Sequence, residues 1–153
     1  MTTPHQLEVR VYYEDTDAAG IVYHASYLKF AERGRTELLR RLGFDHANLA
    51  RQHGVVFAVT RCVADFVRPA RLDDLLVVGT SVAAIGGARV EMAQLVQRGD
   101  DAIARLAVTL AVLDATSMRP ARLPSALRAA FMATGGGGGG AEPAPLSPGR
   151  RHS

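Results

Sequence analysis

The first pattern along the chain is an alternation of apolar and polar residues. Leu7, Val9 and Val11 alternate with Glu8 and Arg10. A period of two is typical of a strand with one buried face. We therefore expect a first strand that runs from about Leu7 to Tyr13.

A helical pattern follows. Small or apolar residues recur every three or four positions, at Tyr27, Ala31, Gly34, Leu38 and Leu42. Basic and acidic residues occupy much of the remaining surface of this segment, from Lys29 to Arg41. The spacing predicts a long amphipathic helix that packs one face on a core.

Four strand-like segments come after the helix. Residues 55–67, 75–85, 88–98 and 102–114 are rich in β-branched and other apolar residues and are separated by turn signals. Gly86-Gly87 is a hairpin signal, because glycine allows positive φ at both central positions of a tight turn. Residues 45–53 and 124–132 predict short helices. One strand, a long helix and four strands joined mostly by tight turns predict an α+β fold with a largely antiparallel sheet.

One face of this sheet has no predicted cover. Residues Val55 to Val59 are apolar at every position, so both sides of that strand are apolar. A single helix covers only one side of a sheet. We therefore expect a partner subunit to cover apolar surface that the chain leaves open.

The length allows one ordinary domain. The chain has 153 residues, of which 48% are hydrophobic. We place the domain at 1–133 and a tail at 134–153. The tail contains six consecutive glycines followed by a proline-containing polar stretch, a composition that predicts disorder, and we assign it no chemistry.

Charge and cysteine content exclude several classes of function. The net charge of +3 is modest and no dense basic stripe is present, so we expect no nucleic-acid partner. Cys62 is the only cysteine, which excludes an internal disulfide and a cysteine-rich zinc site. It lies in an apolar strand pattern, where we expect it to be buried and unreactive. No metal or other cofactor is predicted.

Location is inferred from the same composition. No apolar run approaches the roughly 20 residues that a membrane helix needs. The first residues, Met1 to His5, lack the basic and then apolar pattern of a secretion signal. We expect a cytoplasmic protein without a transmembrane segment.

The candidate chemistry lies between the first strand and the long helix. Residues 13–27 read Tyr-Glu-Asp-Thr-Asp-Ala-Ala-Gly-Ile-Val-Tyr-His-Ala-Ser-Tyr and so combine carboxylates, a glycine, a histidine and tyrosines. Unpaired N–H groups at the start of a helix favour negative charge, including that of a developing oxyanion. A carboxylate next to such donors is suited to hydrolysis.

This motif resembles that of the hotdog-fold acyl-CoA thioesterases, in the group that contains 4-hydroxybenzoyl-CoA thioesterase and the Tol-Pal-associated YbgC proteins. The resemblance rests on residues 13–27, continues through 30–37 and is weaker at 68–74. Tyr23-His24 points to the YbgC branch. The resemblance implies a five-stranded antiparallel sheet wrapped around the long helix, with dimers joined edge to edge, active sites at the dimer interface and tetramers in some families. It also implies association with envelope or lipid-synthesis proteins.

The catalytic residues follow from the matched motif. Asp17 takes the position of the family's catalytic carboxylate, where it would act as nucleophile or as general base on water. His24 is expected to be a second catalytic residue, and the helix N–H groups near it would hold the oxyanion. The neighbouring Asp15 is expected to shape the loop, and Tyr27 to pack in the core.

The remaining candidates bind substrate. Tyr13 and Tyr23 are expected to line the acyl pocket. Gly20 is expected to permit an unusual backbone conformation or a close approach of the substrate. Arg68 and Arg71 are candidates to meet the phosphates of coenzyme A.

Three functions remain open from the sequence alone. The first is hydrolysis of acyl-CoA or acyl-carrier-protein thioesters by a homodimer or homotetramer. The second is a hydratase or dehydratase on the same fold, because a fold does not fix a reaction. The third is a non-catalytic acyl-CoA-binding or scaffold protein. The acyl chain length or aryl preference is not predicted.

Overall fold

The computed structural model of the chain describes residues 4–134. Its strands are β1 (His5–Arg10), β2 (Val55–Phe66), β3 (Leu75–Ile85), β4 (Arg89–Arg98) and β5 (Asp101–Asp114). Its helices are α1 (His24–Arg41), α2 (His46–His53) and α3 (Ser125–Ala133), with a 3-10 turn at Tyr13–Asp15. The predicted tail lies outside the described residues, except for Thr134, which caps α3.

The strands form one five-stranded sheet in the order β1-β3-β4-β5-β2. Every neighbouring pair is antiparallel. The long helix α1 packs against β1, β3 and β4. The predicted α+β class and the antiparallel sheet around a long helix are confirmed.

The start of the chain differs from the prediction. β1 ends at Arg10, and Tyr13 lies in the 3-10 turn instead of the strand. Val11 leaves the β1–β3 ladder because its N–H donates to Asp74 O at 2.9 Å and its carbonyl accepts from Asp73 N at 3.0 Å. The alternation of apolar and polar residues extends beyond Arg10, although the backbone of Val11 is bonded to Asp73 and Asp74 and no longer to β3.

The core lies between α1 and the sheet. Its largest fully buried side chains are Phe30, Phe131, Leu49, Leu76, Ile103 and Leu127. Helix α3 contributes two of these residues, and its Arg128 donates from Nη2 to the carbonyl of Gly86 at 2.9 Å. The short C-terminal helix is thereby attached to the hairpin between β3 and β4.

The glycines of that hairpin do not use the left-handed conformation that is open to them. Gly86 N–H donates to Arg89 O at 2.7 Å, and residues 86–88 connect the two strands. Neither Gly86 nor Gly87 is among the glycines with positive φ. The predicted hairpin is confirmed.

Gly34 lets α1 lie close to the sheet. A β-carbon at this position would lie 2.8 Å from Thr80 Oγ1 and 2.9 Å from Val78 Cγ1. Both distances are shorter than real contacts of a β-carbon. The glycine predicted on the buried face of the helix is therefore required by packing.

A buried polar group lies beneath the same helix. Gln94 Nε2 donates to the carbonyl of Ala31 at 2.8 Å and to Thr80 Oγ1 at 2.9 Å. Arg35 donates to Gln94 Oε1 at 3.0 Å. Since the polar atoms of Gln94 are paired, its burial fixes the position of α1 on the sheet.

β2 is an edge strand, which corrects the prediction for Cys62. This residue is exposed, as are its neighbours 59–61. The centre of the strand lies beyond the cover of α1 and carries a bulge between Val59 and Arg61. An apolar strand pattern does not distinguish a central strand from an edge strand.

None of the helices within residues 4–134 is both long enough and apolar enough to cross a bilayer.

Candidate active site

The residues between the 3-10 turn and α1 form a closed loop, which we call the Asp17 loop (residues 16–22). Thr16 and Val22 pair as an isolated antiparallel bridge. Inside it, Asp17 N–H donates to Ile21 O at 2.9 Å and Gly20 N–H donates to Asp17 O at 3.0 Å. The loop therefore has a defined backbone and presents Asp17 at its start.

Gly20 has a φ of +77°, and a β-carbon there would meet no atom within 4 Å. The left-handed conformation is unfavourable for other residues. Of the two roles considered for Gly20, the backbone conformation is the one that the loop requires.

Asp15 anchors the loop from beneath. Its side chain is only 7% exposed, and its Oδ2 accepts from Tyr12 N at 2.8 Å. Its carbonyl accepts from Tyr23 N at 2.9 Å and from Ser26 Oγ at 3.1 Å. One residue thus joins the 3-10 turn to the first turn of α1, and the prediction that Asp15 shapes the loop is confirmed.

Asp17 has the opposite environment. It is exposed, and its Oδ1 accepts from Ala19 N at 2.8 Å. No hydrogen bond to Oδ2 is formed within residues 4–134. One oxygen thus orients the carboxylate, and the other is available to a substrate or a water molecule.

His24 is the first residue of α1 and is exposed. In the part of the chain that the structure describes, no backbone acceptor pairs with the N–H groups of His24 and Ala25. The positive end of the helix macrodipole lies at the same place. The predicted oxyanion donors therefore include the N–H of Ala25, which the sequence did not single out.

An aromatic cluster surrounds the His24 ring. Its centroid lies 4.4 Å from that of Tyr23 and 6.1 Å from that of Phe66. Phe66 in turn lies 5.6 Å from Tyr27. Phe66 comes from the end of β2, 42 residues away from His24 along the chain, and no pattern in the sequence joins it to the motif.

The tyrosines of the motif divide by exposure. Tyr13 is 82% exposed and Tyr23 is 47% exposed. Tyr27 is 3% exposed, its hydroxyl accepts from Ala70 N at 3.1 Å, and burial raises its pKa. The predicted packing role of Tyr27 is confirmed, whereas Tyr13 and Tyr23 are accessible to a ligand.

The connector between β2 and β3 (residues 67–74) lies against the Asp17 loop. Val22 N–H donates to Ala70 O at 2.8 Å, and Ile21 pairs with Arg71 as an isolated bridge. Arg71 is exposed beside the loop. Arg68 is also exposed, but its Nη1 donates to Ala102 O at 3.2 Å, which directs it to the start of β5.

An ion pair fixes this connector to β4. Arg98 Nη1 lies 2.8 Å from Asp74 Oδ2, and Arg71 N–H donates to the same oxygen at 2.8 Å. Partial burial opposes ionisation of Asp74, but these bonds together hold the pKa of its carboxyl below the usual value. The backbone that carries Arg71 is therefore held in place.

The side chains of Asp17, Tyr23 and His24 are exposed in the part of the chain that the structure describes. A groove of about 400 Å³ lies on the polar face of α1 between Lys29 and Arg40, and none of the predicted site residues lines it. Within residues 4–134, no cluster of histidine, cysteine or acidic side chains is arranged to hold a metal ion. The candidate active site is an open surface formed by the Asp17 loop, the start of α1 and the end of β2.

Comparisons with known proteins give the family of the chain. Residues 11–131 match the model of the thioesterase-like superfamily. The chain is 43% identical over 123 residues to the acyl-CoA thioesterase YbgC of Haemophilus influenzae, covering 80% of this chain and 90% of that protein. It is 40% identical over 131 residues to the acyl-CoA thioester hydrolase YbgC of Escherichia coli, covering 85% and 97%.

A solved structure shows the same architecture. The probable thioesterase from Bartonella henselae superposes with a TM-score of 0.75 at 39% identity, covering 79% of this chain and 99% of that one. The fold and these relatives together define a hotdog-fold thioester hydrolase. The chain belongs to the thioesterase-like superfamily, as residues 11–131 match its model.

Proposed function

We propose that the protein is an acyl-CoA thioesterase that hydrolyses acyl thioesters to a free acid and a thiol, with Asp17 as the group that activates the attack. The observation that carries the proposal is the exposed carboxylate of Asp17, held by Ala19 N on a closed loop that leads directly into the start of α1. The activity named for the YbgC relatives supports the choice of acyl-CoA.

The leaving group of a thioester needs little assistance from the enzyme. A thiol has a pKa of about 8.5 and departs as thiolate without strong help from an acid. The demanding step is the addition to the carbonyl. Asp17 promotes it either by attacking the carbonyl carbon itself or by taking a proton from the attacking water.

The start of α1 stabilises negative charge on the oxygen of the thioester. The N–H groups of His24 and Ala25 are without backbone acceptors among the described residues, and they stabilise the oxyanion that forms on addition. Removal of one preorganised donor of this kind typically costs about 10²-fold in rate. The His24 imidazole is a proton carrier next to the same oxygen.

The phosphate-bearing part of the substrate is assigned to the connector. Arg71 lies beside Ile21 of the Asp17 loop, which favours it over Arg68 for contact with coenzyme A phosphates. Tyr13 and Tyr23 expose their rings next to the loop and supply apolar contact for the acyl group. Acyl-carrier-protein thioesters present the same reacting carbonyl and are the second substrate class to test.

We also propose that the working form is a homodimer, or a homotetramer built from it, located in the cytoplasm and associated with envelope or lipid-synthesis proteins. Two features support assembly. The site is open in the single chain, and the 12-residue edge strand β2 exposes Val59 to 51%. A second copy at this edge would complete the pocket.

The experiment is thiol release from a panel of acetyl-, hexanoyl-, palmitoyl- and benzoyl-CoA and from the matching acyl-carrier-protein esters. Release of thiol together with one equivalent of free acid supports the proposal and ranks the substrates. Hydration of an enoyl-CoA without thiol release would replace it by a hydratase. Binding of these esters without any turnover would replace it by an acyl-CoA-binding protein.

A further inference from the structure

Phe66 is a large apolar residue that lies next to His24 and is partly exposed. It ends β2, and its side chain is 50% exposed. Its ring meets the exposed His24 ring edge-on, with centroids 6.1 Å apart. The exposed part of the ring offers apolar surface to a ligand beside the start of α1.

The ring is held by the sheet and the core. Phe66 pairs with Ala104 of β5, and the next residue, Val67, donates from its N–H to Ile103 O at 2.8 Å. On its inner side the ring packs on Tyr27, which is buried and bonded to Ala70. Phe66 therefore presents a fixed apolar surface, in contrast to a mobile loop side chain.

The neighbouring rings do not offer the same surface. Tyr13 is 82% exposed and takes part in none of the aromatic contacts within residues 4–134. Tyr23 contacts His24 but lies on the loop side, before the helix. Among the described residues, Phe66 is the aromatic residue of the sheet whose ring contacts His24, so His24 has one aromatic neighbour from the loop side and one from the sheet.

We infer that Phe66 is the residue that selects the acyl group, by forming the apolar wall against which the acyl chain or aryl ring lies while the thioester carbonyl is held at the start of α1. This inference rests on the proposed function. It assigns the preferred substrate class as acyl groups with an uncharged apolar body beyond the carbonyl, over acetyl groups and over acyl groups that end in a carboxylate.

The test compares Phe66→Ala and Phe66→Leu with wild type in kcat/KM for acetyl-, hexanoyl- and benzoyl-CoA. Phe66→Ala is expected to lower the values for hexanoyl- and benzoyl-CoA about tenfold or more and that for acetyl-CoA about twofold or less, as lost apolar contact acts only on substrates that use it. Phe66→Leu keeps an apolar side chain and should restore most of the hexanoyl value.

A matched control is Met132→Ala, since Met132 is an apolar residue on α3 with 57% exposure. It should leave all three values unchanged. Sedimentation and thermal unfolding of each variant establish that fold and oligomeric state are retained. An equal loss for all three substrates in Phe66→Ala, or no loss for any, would overturn the assignment.

A binding measurement separates this inference from the proposed function. S-hexyl-CoA is a thioether that cannot be hydrolysed, and calorimetry gives its affinity relative to free CoA. Wild type should bind S-hexyl-CoA more tightly than CoA, and Phe66→Ala should remove that difference. If wild type hydrolyses no thioester, the proposed function fails, while an undiminished hexyl preference in Phe66→Ala would refute the role of Phe66.

Discussion

At the scale of single residues, two aspartates of one motif lie in different surroundings. Asp15 is buried and bonded to Tyr12 N, whereas Asp17 is exposed and keeps one oxygen without an intramolecular partner among the described residues. A buried acceptor that is hydrogen-bonded stabilises a loop. An exposed one remains available for chemistry.

This contrast predicts opposite effects of the two alanine substitutions. Asp15→Ala leaves the N–H of Tyr12 without its acceptor, and we expect the free energy of unfolding to fall by about 1–3 kcal/mol. Asp17→Ala removes one exposed bond to Ala19 and should cost less than about 1 kcal/mol. Urea denaturation of both variants measures the difference. Equal losses would contradict the assignment of Asp15 as the anchor.

His24 gives the second prediction at this scale. His24→Ala removes the imidazole but keeps the backbone N–H groups at the start of α1, so turnover should fall by a smaller factor than in Asp17→Asn. Steady-state kcat on the best substrate measures it, with the exposed His53→Ala on α2 as control. A kcat equal to that of wild type would return His24 to a residue that only begins a helix.

At the scale of elements, periodicity predicted most of the fold. The segment 75–85 matches β3 residue for residue, and β2, β4, β5 and α3 lie within one residue of their predicted bounds, while α1 begins three residues before the predicted pattern. Local pattern suffices there because each element has one face on the core. Periodicity could not show that Gln94 is buried, because its partners come from α1 and β3.

The approach of α1 to the sheet predicts the effect of a single methyl group. Gly34→Ala would place a β-carbon 2.8 Å from Thr80 Oγ1, and the strain should exceed the gain in helix propensity of about 1 kcal/mol. We expect a net destabilisation of about 1–2 kcal/mol by chemical denaturation. Gly87→Ala, which meets no atom within 4 Å, is the control. A stabilised Gly34→Ala would show that the contact is not tight.

At the scale of the whole molecule, the sequence predicted the site residues that lie close together in the chain, but not the residue that reaches the site from another element. Asp17, Gly20 and His24 follow one another in the chain, so a motif finds them. Phe66 joins the site only through the tertiary structure. The exposure of Cys62 was missed for the same reason, since strand order decides which strand is an edge.

The open edge predicts the oligomeric state. Val59 is 51% exposed in the middle of β2, and a charge at such a position blocks edge-to-edge pairing. Wild type should sediment as a dimer or tetramer of the 16.3 kDa chain, and Val59→Lys should shift it to monomer with loss of turnover. Met132→Lys on α3 should do neither. A wild type that is monomeric and fully active would contradict the proposed assembly.

The proposed function depends most on the carboxylate of Asp17, which activates the attack on a thioester. Asp17→Asn keeps the size of the side chain and the Oδ1 acceptor for Ala19 N, so fold and assembly should persist while the charge is lost. The measurement is kcat for thiol release by this variant on the acyl-CoA that wild type hydrolyses fastest. The kcat is expected to fall by about 10²-fold or more, and a kcat equal to that of wild type would contradict the catalytic role of Asp17.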